Sequence, residues 1–362
     1  MTKVFNTYSL LPHNTFGIKA TAENFVEFSS VDDIMAFLGN GYNGNSLVIG
    51  GGSNLLFVND FNGTIFHSAI MGMEVVKETE EEILLRVGSG VNWDELVAYT
   101  VEKGWGGLEN LSAIPGEVGA SAVQNVGAYG VEAGELIVRV ETVRISDAVC
   151  QEFSHDDCDF SYRHSIFKAA EKGKHIITHV TYRLAKNPTF KLTYGNLSEK
   201  VEELGGATLA NVRKAVCEIR EAKLPSPDKI GSAGSFFMNP VVDARFAESL
   251  AKEYPAMPQY PLPNDDVKLS AGWLIEKCGW KDTPHEHVGV YKHQALVVIN
   301  RGGATGNDVL DFASAVVASV KEKFGVLLNM EVNVDPPPRV MEIKTKVNKW
   351  DLSLKAFAQQ RK

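Results

Sequence analysis

The sequence predicts an α+β fold with two or three domains, on three observations. Strand patterns and amphipathic helix patterns both occur along the chain. The length of 362 residues is enough for two or three buried cores. Two polar, glycine-rich stretches, at residues 49–55 and 107–132, separate apolar runs and mark backbone that must turn tightly or approach a ligand.

The first elements combine a helix with a strand, glycine turn, strand unit. Ser30 is placed to cap a helix that begins at Val31. Apolar runs at residues 47–49 and 55–58 flank Gly50, Gly51 and Gly52, so a strand enters this turn and another leaves it. A Rossmann site needs a glycine turn that opens a helix, so any nucleotide site here is of another type.

The middle of the chain continues with alternating patterns. Residues 83–87 predict a strand, and Asn92 is expected to cap the helix that follows. Residues 136–145 predict a strand whose alternation changes phase between Val140 and Val143, which indicates a β-bulge. Further on, the patterns predict a strand at 175–184, a loop at 192–197 and a helix at 209–224. Pro225 ends that helix, and we place a domain boundary there.

The last third predicts a smaller mixed domain. Its predicted elements are helices near 245–252 and at 269–278, a strand at 295–299, a helix capped by Asn307 that runs to Phe324, and a strand at 326–334. The alternation in that last strand places Glu331 on the face opposite the core stripe. The polar tail to Lys362 is expected to be an appended helix or poorly ordered.

Composition limits the partners. A net charge of −9 and a pI near 5.6 argue against nucleic acid or an anionic membrane as partner. No apolar run approaches the roughly 18 residues that a membrane span needs, so a cytoplasmic location is expected. Cys150, Cys158, Cys217 and Cys278 lack metal-ligand spacing, so we expect reduced thiols and no metal.

The two glycine-rich stretches suit a large anionic ligand. Glycines allow close backbone approach, and exposed N–H groups in such turns form concave anion sites. Each stretch alone would more simply be a connection between strands. Together on one chain they favour a dinucleotide site.

Five residues could carry chemistry, but each has an ordinary alternative. The Ser235 hydroxyl could reach a ligand or cap the backbone. Arg163 could bind a carboxylate or lie on the surface beside aromatic residues, and Glu331 could act in a site or be solvated. Tyr194 and Lys223 could bind phosphates or be surface residues. Taken singly, these residues decide nothing.

Read together, the motifs strongly resemble the MurB family of UDP-N-acetylenolpyruvoylglucosamine reductases, the flavoenzymes of peptidoglycan synthesis. The resemblance rests on residues 14–17 (NTFG), 51–54 (GGSN), 107–132, 162–168 (YRHSIFK), 192–195 (LTYG), 223–225 (KLP), 234–237 (GSFF) and Glu331. It covers nearly the whole chain before the tail. The Tyr194 loop and the insert from Gln151 resemble the type I form, in which a tyrosine closes over the substrate.

The resemblance implies noncovalent FAD in a two-subdomain fold of the PCMH/VAO type, followed by a C-terminal α+β substrate-binding domain. The implied subdomains are 1–71, to which 333–362 return, and 72–224, with the substrate domain at 225–332. The implied FAD contacts are Gly50, Gly51, Gly52, Ser53, Asn54, Ile114, Pro115, Gly116, Gly119, Ala120, Ser121, Gln124, Asn125, Gly127, Ala128, Tyr129 and Gly130.

The resemblance also implies the reaction. NADPH reduces FAD and leaves, and UDP-N-acetyl-3-O-(1-carboxyvinyl)-glucosamine takes its place; reduced flavin N5 then delivers hydride to C3 of the vinyl group, giving UDP-N-acetylmuramate. Charge develops on C2 as an enolate, which the site must stabilise and protonate. By resemblance Arg163 pairs with the substrate carboxylate, Glu331 adds a hydrogen bond and Ser235 gives the proton. A carboxyl beside an enolate helps only when protonated or offset by a cation. The implied substrate contacts are Tyr162, Tyr194, Lys223, Asn239 and Gln294.

Two positions depart from the family pattern, and two other functions stay open. Met238 and Asn333 stand where the family often has lysine and arginine, so two cations that would affect substrate or NADPH binding are absent from these positions. The alternatives are a flavin oxidase of the same superfamily and a nucleotide-sugar binding protein without catalysis. Retention of all three implied catalytic residues favours the reductase. We further expect a monomer that acts in cell-wall synthesis, and so in cell shape and division.

Overall fold

The computed structural model describes residues 1–226, 229–263, 265–281, 283 and 285–337. The chain divides into two compact units. The first unit consists of Met1–Tyr8, Thr21–Gly51 and Asn62–Ala222, and the second of Ser9–Ala20, Gly52–Phe61 and Lys223–Lys362. Each unit is therefore built from segments that are distant in the sequence.

The α-helices among the described residues are α1 Val31–Gly39, α2 Trp93–Glu102, α3 Val118–Gln124, α4 Leu197–Glu203, α5 Leu209–Lys223, α6 Ala244–Glu253, α7 Ala271–Lys277 and α8 Gly306–Phe324. The strands are β1 Lys3–Ser9, β2 Thr21–Phe28, β3 Ser46–Ile49, β4 Leu55–Phe57, β5 Phe61–Ser68, β6 Met73–Glu78, β7 Glu82–Gly88, β8 Gly127–Ala128, β9 Val131–Glu132, β10 Ile137–Arg144, β11 Cys150–Ser154, β12 His175–Ala185, β13 Gly231–Ser232, β14 Val241–Asp243, β15 Gln259–Pro261, β16 Asp266–Leu269, β17 Val288–Tyr291, β18 Gln294–Asn300 and β19 Asn333–Asp335. None of these helices is both long and apolar enough to cross a membrane.

The first unit contains two larger sheets and the two-stranded sheet β8-β9. One has the strand order β1-β2-β5-β3, and the other has the order β11-β10-β12-β7-β6 with antiparallel neighbours. The predicted irregularity in β10 is confirmed, because its register with β12 shifts between Glu141 and Thr142. Two predicted caps are also confirmed: Ser30 accepts from the Asp33 N–H, and Asn92 accepts from the first turn of α2.

The second unit has two three-stranded sheets, β13-β18-β17 and β14-β16-β15, and the long helix α8. The segment Ser9–Ala20 belongs to it through backbone contacts. Thr15 Oγ1 donates to the Ser232 carbonyl at 2.6 Å, and Asn300 Nδ2 donates to the Phe16 carbonyl at 2.9 Å. These bonds explain why an N-terminal segment is part of a C-terminal core.

Three sequence predictions for the second unit are wrong in detail. Thr305 caps α8 in place of Asn307, because its hydroxyl and the Asp308 carboxylate form a capping box. The helix predicted over 269–278 begins at Ala271 instead, since Leu269 still pairs in β16.

The strand predicted over 326–334 is also wrong. Only Asn333–Asp335 forms a strand, parallel to β4, although burial alternates as expected from Val326 to Val332. Among residues 326–332, the bridge between Met330 and Phe237 is the strand pairing that the structure shows. The alternating pattern therefore indicates alternating burial, but these residues form no continuous strand ladder. The prediction for the tail lies outside the described residues from residue 338 onward.

Candidate functional site

The glycine turn, residues 50–54, connects β3 to β4, and its backbone packs closely against other backbone atoms. A Cβ atom on Gly52 would lie 1.8 Å from the His13 carbonyl oxygen, and its φ of +64° is itself unfavourable for other residues. The N–H groups of Gly50, Gly51 and Gly52 donate to no residue that the structure describes. Unsatisfied N–H groups at a glycine turn fit a phosphate.

The stretch 107–132 is held in strained backbone by buried polar side chains. Ala113, Asn125 and Tyr129 all have positive φ, a costly conformation that concentrates at functional sites. Asn125 Nδ2 donates to Glu132 and to the Ser161 carbonyl, while its Oδ1 accepts from the Gly134 N–H. The side chain of Asn125 is therefore occupied inside the protein and holds the loop.

Ser121 has a similar position. Its hydroxyl bonds the Val118 carbonyl and the Tyr182 hydroxyl, both at 2.7 Å, in a fully buried environment. Burial raises the pKa of Tyr182 well above its ordinary value. The Ser121 side chain thus anchors α3 to the five-stranded sheet, so a ligand could meet this residue only through its backbone.

Arg163 lies at the tip of a tight turn and is itself in the left-handed region, with φ of +56°. Its Nη2 donates to the Gly127 carbonyl at 2.6 Å, and its guanidinium carbon lies 5.3 Å from the centre of the Tyr162 ring. A Cβ atom on Gly127 would lie 2.7 Å from Arg163 Nη1, so a side chain there would displace the guanidinium from this position. The strain and the close glycine argue against an ordinary surface arginine.

Tyr194 stands on an exposed loop over the same stretch of the first unit. Its side chain is 55% exposed, and its ring meets the Tyr129 ring edge to face at 5.8 Å. Asn110 donates to the carbonyls of Tyr129 and Lys191, which ties this loop to residue 129. A large exposed tyrosine on such a loop fits a residue that closes over a ligand.

In the second unit, the structure places Ser235 and Glu331 on paired segments. The Glu331 N–H donates to the Phe236 carbonyl at 2.8 Å, and the Met238 N–H donates to the Asn329 carbonyl at 2.9 Å. The Ser235 hydroxyl makes no hydrogen bond with any residue that the structure describes. Glu331 is only partly exposed, so it is not a fully solvated residue.

Asn54, Asn239 and Gln294 lie on segments that continue these paired segments or bond to them. Asn239 Oδ1 accepts from the Ala271 N–H at 3.0 Å and Gln294 Oε1 from the Leu296 N–H at 3.3 Å, so each amide nitrogen is left for another partner. Asn54 Nδ2 donates to the Glu331 carbonyl at 3.3 Å. Lys223 is exposed at the end of α5 and has no ion pair with a described carboxylate.

The two departures from the family pattern have different surroundings. Asn333 Nδ2 donates to the Asn54 carbonyl at 3.3 Å, and its N–H donates there as well, so Asn333 supports the end of the glycine turn. Met238 is half-buried, and its N–H donates to the Asn329 carbonyl. The loss of arginine at 333 is therefore accompanied by a local structural role.

Sequence reasoning missed Arg220. Arg220 on α5 is half-buried, and the acceptor that its guanidinium finds among the described residues is the Ala113 carbonyl, 3.2 Å from Nε. Burial lowers the pKa of Arg220, with partial compensation from Tyr129 and Cys217. A guanidinium has five N–H donors, so this arrangement leaves donors for an anionic ligand. The sequence feature that could have identified Arg220 is its position four residues after Val216, which places it on the apolar face of the helix.

Lys168 was quoted in a motif but given no role. Its Nζ donates to Gln124 Oε1 at 2.9 Å. This bond fixes which end of the Gln124 amide faces the lysine, and it leaves the amide N–H₂ as a donor for another group. Lys168 is therefore a candidate for positioning a predicted cofactor contact.

Comparisons with known proteins agree on one family. Residues 226–334 match the family described as "UDP-N-acetylenolpyruvoylglucosamine reductase, C-terminal domain", and residues 22–152 match the family described as "FAD binding domain". The UDP-N-acetylenolpyruvoylglucosamine reductase of Bacteroides fragilis (strain ATCC 25285) is 51% identical over 90% of this chain and 98% of its own. The reductase of Amoebophilus asiaticus (strain 5a2) is 48% identical over 89% of this chain and 96% of its own.

A solved structure shows the same fold. The structure of UDP-N-acetylenolpyruvylglucosamine reductase (MurB) from Thermus caldophilus matches with a TM-score of 0.64. The match covers 92% of this chain and 98% of that chain at 21% identity. The predicted α+β class, with an FAD-binding part and a C-terminal domain, is confirmed.

Proposed function

The chain belongs to the UDP-N-acetylenolpyruvoylglucosamine reductase family, and on that premise we propose which of its residues perform the reaction. It is an FAD-dependent oxidoreductase of peptidoglycan precursor synthesis, with UDP-N-acetylmuramate dehydrogenase activity and NADPH as reductant. Bound FAD would supply the hydride chemistry that connects oxidation of NADPH to reduction of the enolpyruvyl group at C3. The work left to the protein is to bind the anionic ligands, stabilise charge on C2 and protonate it.

The second unit supplies the proton in this proposal. The Ser235 hydroxyl, which has no hydrogen bond to a described residue, gives its proton to C2 of the substrate. Glu331 is proposed to add a hydrogen bond to the developing enolate. Its N–H bonds to the carbonyl of Phe236, the residue after Ser235, so Glu331 and Ser235 lie on neighbouring segments. This pairing of the two segments is the observation that most supports the function.

Arg163 and Tyr194 are proposed as a carboxylate partner and a closing residue. Arg163, pinned by the Gly127 carbonyl, is proposed to bind the substrate carboxylate. Tyr194 is proposed to close over the diphosphate of the substrate, which Lys223 also contacts. Tyr162, Asn239 and Gln294 are proposed to line the remainder of the substrate site.

FAD is proposed to bind noncovalently along the glycine turn and the stretch 114–130. The turn offers unsatisfied N–H groups at Gly50, Gly51 and Gly52, which fit the diphosphate. The experiment that tests the whole function is an anaerobic absorbance titration of the holoenzyme. A flavin spectrum that bleaches with NADPH and recovers with the enolpyruvyl substrate is expected; recovery with oxygen alone would favour an oxidase, and no bleaching would favour a binding protein.

A matched pair of substitutions at Gly51 tests the diphosphate position. A Cβ atom on Gly51 meets no atom closer than 3.6 Å, so both asparagine and aspartate fit there. We expect Gly51→Asp to weaken FAD binding by about tenfold or more relative to Gly51→Asn, since the two differ mainly in charge beside a diphosphate. Isothermal titration of apoprotein with FAD measures this ratio. Equal dissociation constants for the two variants would place the diphosphate elsewhere.

Arg220 is proposed to bind an anionic part of a ligand. We expect Arg220→Met to raise the melting temperature of the apoprotein by a few degrees, because it removes a half-buried, partly desolvated cation that bonds one carbonyl among the described residues. The same substitution should weaken FAD or substrate binding by about tenfold. Calorimetry of the apoprotein and ligand titration check the two effects. A variant that is less stable with unchanged affinities would assign Arg220 a purely structural role.

The cellular setting is also proposed. Because the product is a peptidoglycan precursor, the protein acts in the cytoplasm and contributes to cell-wall synthesis, cell shape and cell division. We propose that it acts as a monomer, and sedimentation of the holoenzyme checks this.

A further inference from the structure

Glu117 places a carboxylate directly against the glycine turn. A Cβ atom on Gly50 would lie 3.1 Å from Glu117 Oε2, and one on Gly51 would lie 3.9 Å from Glu117 Oε1. Glu117 also precedes α3 as its N-cap residue, yet its side chain makes no capping hydrogen bond. A carboxylate that neither caps its helix nor faces open water needs another partner.

That partner is His67 on β5. Its Nε2 lies 3.0 Å from Glu117 Oε1, and the two side chains are 13% and 15% exposed. His67 Nδ1 lies 3.5 Å from Glu27 Oε2 on β2, so the imidazole stands between two carboxylates. Lys3 on β1 donates to the far oxygen of Glu27 at 2.7 Å. The four side chains form a row of alternating charge that ends at the glycine turn.

The electrostatics of this row favour a protonated imidazole. Burial of His67 opposes protonation, but the hydrogen bond and charge of Glu117, with the charge of Glu27, outweigh it and raise the pKa of His67 above its ordinary 6.5. The hydrogen bond from Lys3 is the largest cause that lowers the pKa of Glu27, and His67 contributes to the same shift. His67 lies closer to Glu117, at 3.0 Å, than to Glu27, at 3.5 Å, so its charge offsets Glu117 most directly.

We propose that His67 is a positioning residue for FAD: it binds the Glu117 carboxylate and offsets its charge, so that the glycine turn accepts the FAD diphosphate. Without this offset, the carboxylate would repel the diphosphate across the turn. The inference rests on the proposed diphosphate position. It adds that Glu117 lies beside the proposed diphosphate site and that His67, on β5, offsets its negative charge.

The charged groups that contact the imidazole set the expected pH dependence. They are Glu117 from the segment before α3 and Glu27 from β2, with Lys3 of β1 behind Glu27; the residue opposite on β3 is Ile49. The protonated imidazole supports FAD binding, so affinity should be highest below the pKa of His67 in the folded protein. FAD binding should in turn raise the pKa of His67. As pH rises through this range, the FAD affinity of the apoprotein should fall in total by about tenfold for each unit of that rise.

A double-mutant cycle with FAD titration of the apoprotein tests the proposal. His67→Gln keeps a neutral donor near the position of Nε2, and Glu117→Gln removes the negative charge. We expect His67→Gln to weaken FAD binding by about tenfold at about pH 6, and to abolish the pH dependence between about pH 6 and about pH 9. The pair His67→Gln, Glu117→Gln should recover to within about threefold of the unmodified protein, because neither charge remains.

Three outcomes would overturn the inference. The first is an unchanged FAD affinity in His67→Gln, and the second is a double variant that binds FAD as weakly as His67→Gln alone. The third is a pH dependence of FAD binding that persists in both His67→Gln and the double variant. Each would show that His67 has no role in positioning FAD. His179→Gln is the matched control, because it replaces another half-buried histidine beside a glutamate, on β12 in the other sheet, 3.7 Å from Glu141. It should leave the pH dependence of FAD binding intact.

The Gly51 pair separates this inference from the proposed site. A clear difference between Gly51→Asp and Gly51→Asn together with an inert His67→Gln would refute the role of His67 alone. Equal affinities of the two Gly51 variants would refute the diphosphate position as well. Circular dichroism and the melting temperature of each apoprotein confirm that the variants compared are folded.

Discussion

Ser235→Ala is expected to leave reduction of the bound flavin by NADPH near normal and to slow its reoxidation by the enolpyruvyl substrate by about 10² to 10⁴. The proposed general acid is needed only when C2 is protonated, in the second half of the reaction. Its hydroxyl bonds to no described residue, so its removal should disturb the fold little. Anaerobic stopped-flow absorbance measures the two halves separately.

Two further variants make the test for Ser235 specific. Ser235→Cys retains an acidic proton and should recover part of the reoxidation rate. Ser232→Ala removes a buried hydroxyl from the same segment and should leave both halves unchanged, apart from stability. If Ser235→Ala slowed both halves equally, or slowed neither, Ser235 would not be the proton donor.

The local features of the fold were predictable because they depend on neighbours in the sequence. Ser30 and Asn92 cap their helices as expected, and the phase change in β10 corresponds to a real shift of register. The glycine turn was predictable for the same reason, since the short strands around it and the run of glycines are adjacent in the sequence. Each of these depends on no more than a few consecutive residues.

What the sequence could not predict depends on distant partners. Alternation at residues 326–334 is typical of a strand, but strand pairing requires a neighbour, and Phe237 pairs only at Met330. Asn307 is a good cap by type, yet the capping box of Thr305 with Asp308 fixes the helix start two residues earlier. A pattern reports which residues are buried, while the structure decides what they pair with.

In the candidate site, too, contacts between residues distant in the sequence could not be predicted. The resemblance names Asn125 as a cofactor contact, and the structure adds that its side-chain amide bonds to Glu132, Ser161 and Gly134, which the sequence did not indicate. His67 and Glu117 were not singled out, because they are fifty residues apart and meet only once β5 and the segment before α3 are folded. Buried polar contacts of this kind leave no local pattern in a sequence.

Glu331→Gln is expected to lower turnover by about 10² or more while FAD stays bound. The amide can donate a hydrogen bond to the developing enolate, but it cannot share a proton with it, so transition-state stabilisation falls more than binding does. The backbone of Glu331 is fixed by the Phe236 carbonyl and by Asn54, so the substitution changes chemistry more than position. Steady-state rates with the flavin content of each preparation measure the effect.

The control for this prediction is Glu322→Gln, an exposed carboxylate on α8 that should leave turnover unchanged. Glu331→Asp keeps the acid but shortens its reach, so its rate should lie between those of the unmodified enzyme and Glu331→Gln. The loss should occur in reoxidation of the flavin by substrate, because only that half develops negative charge at C2. A normal reoxidation rate in Glu331→Gln would show that its partly exposed side chain takes no part in the reaction, and Arg163 and Ser235 would then have to stabilise the enolate without it.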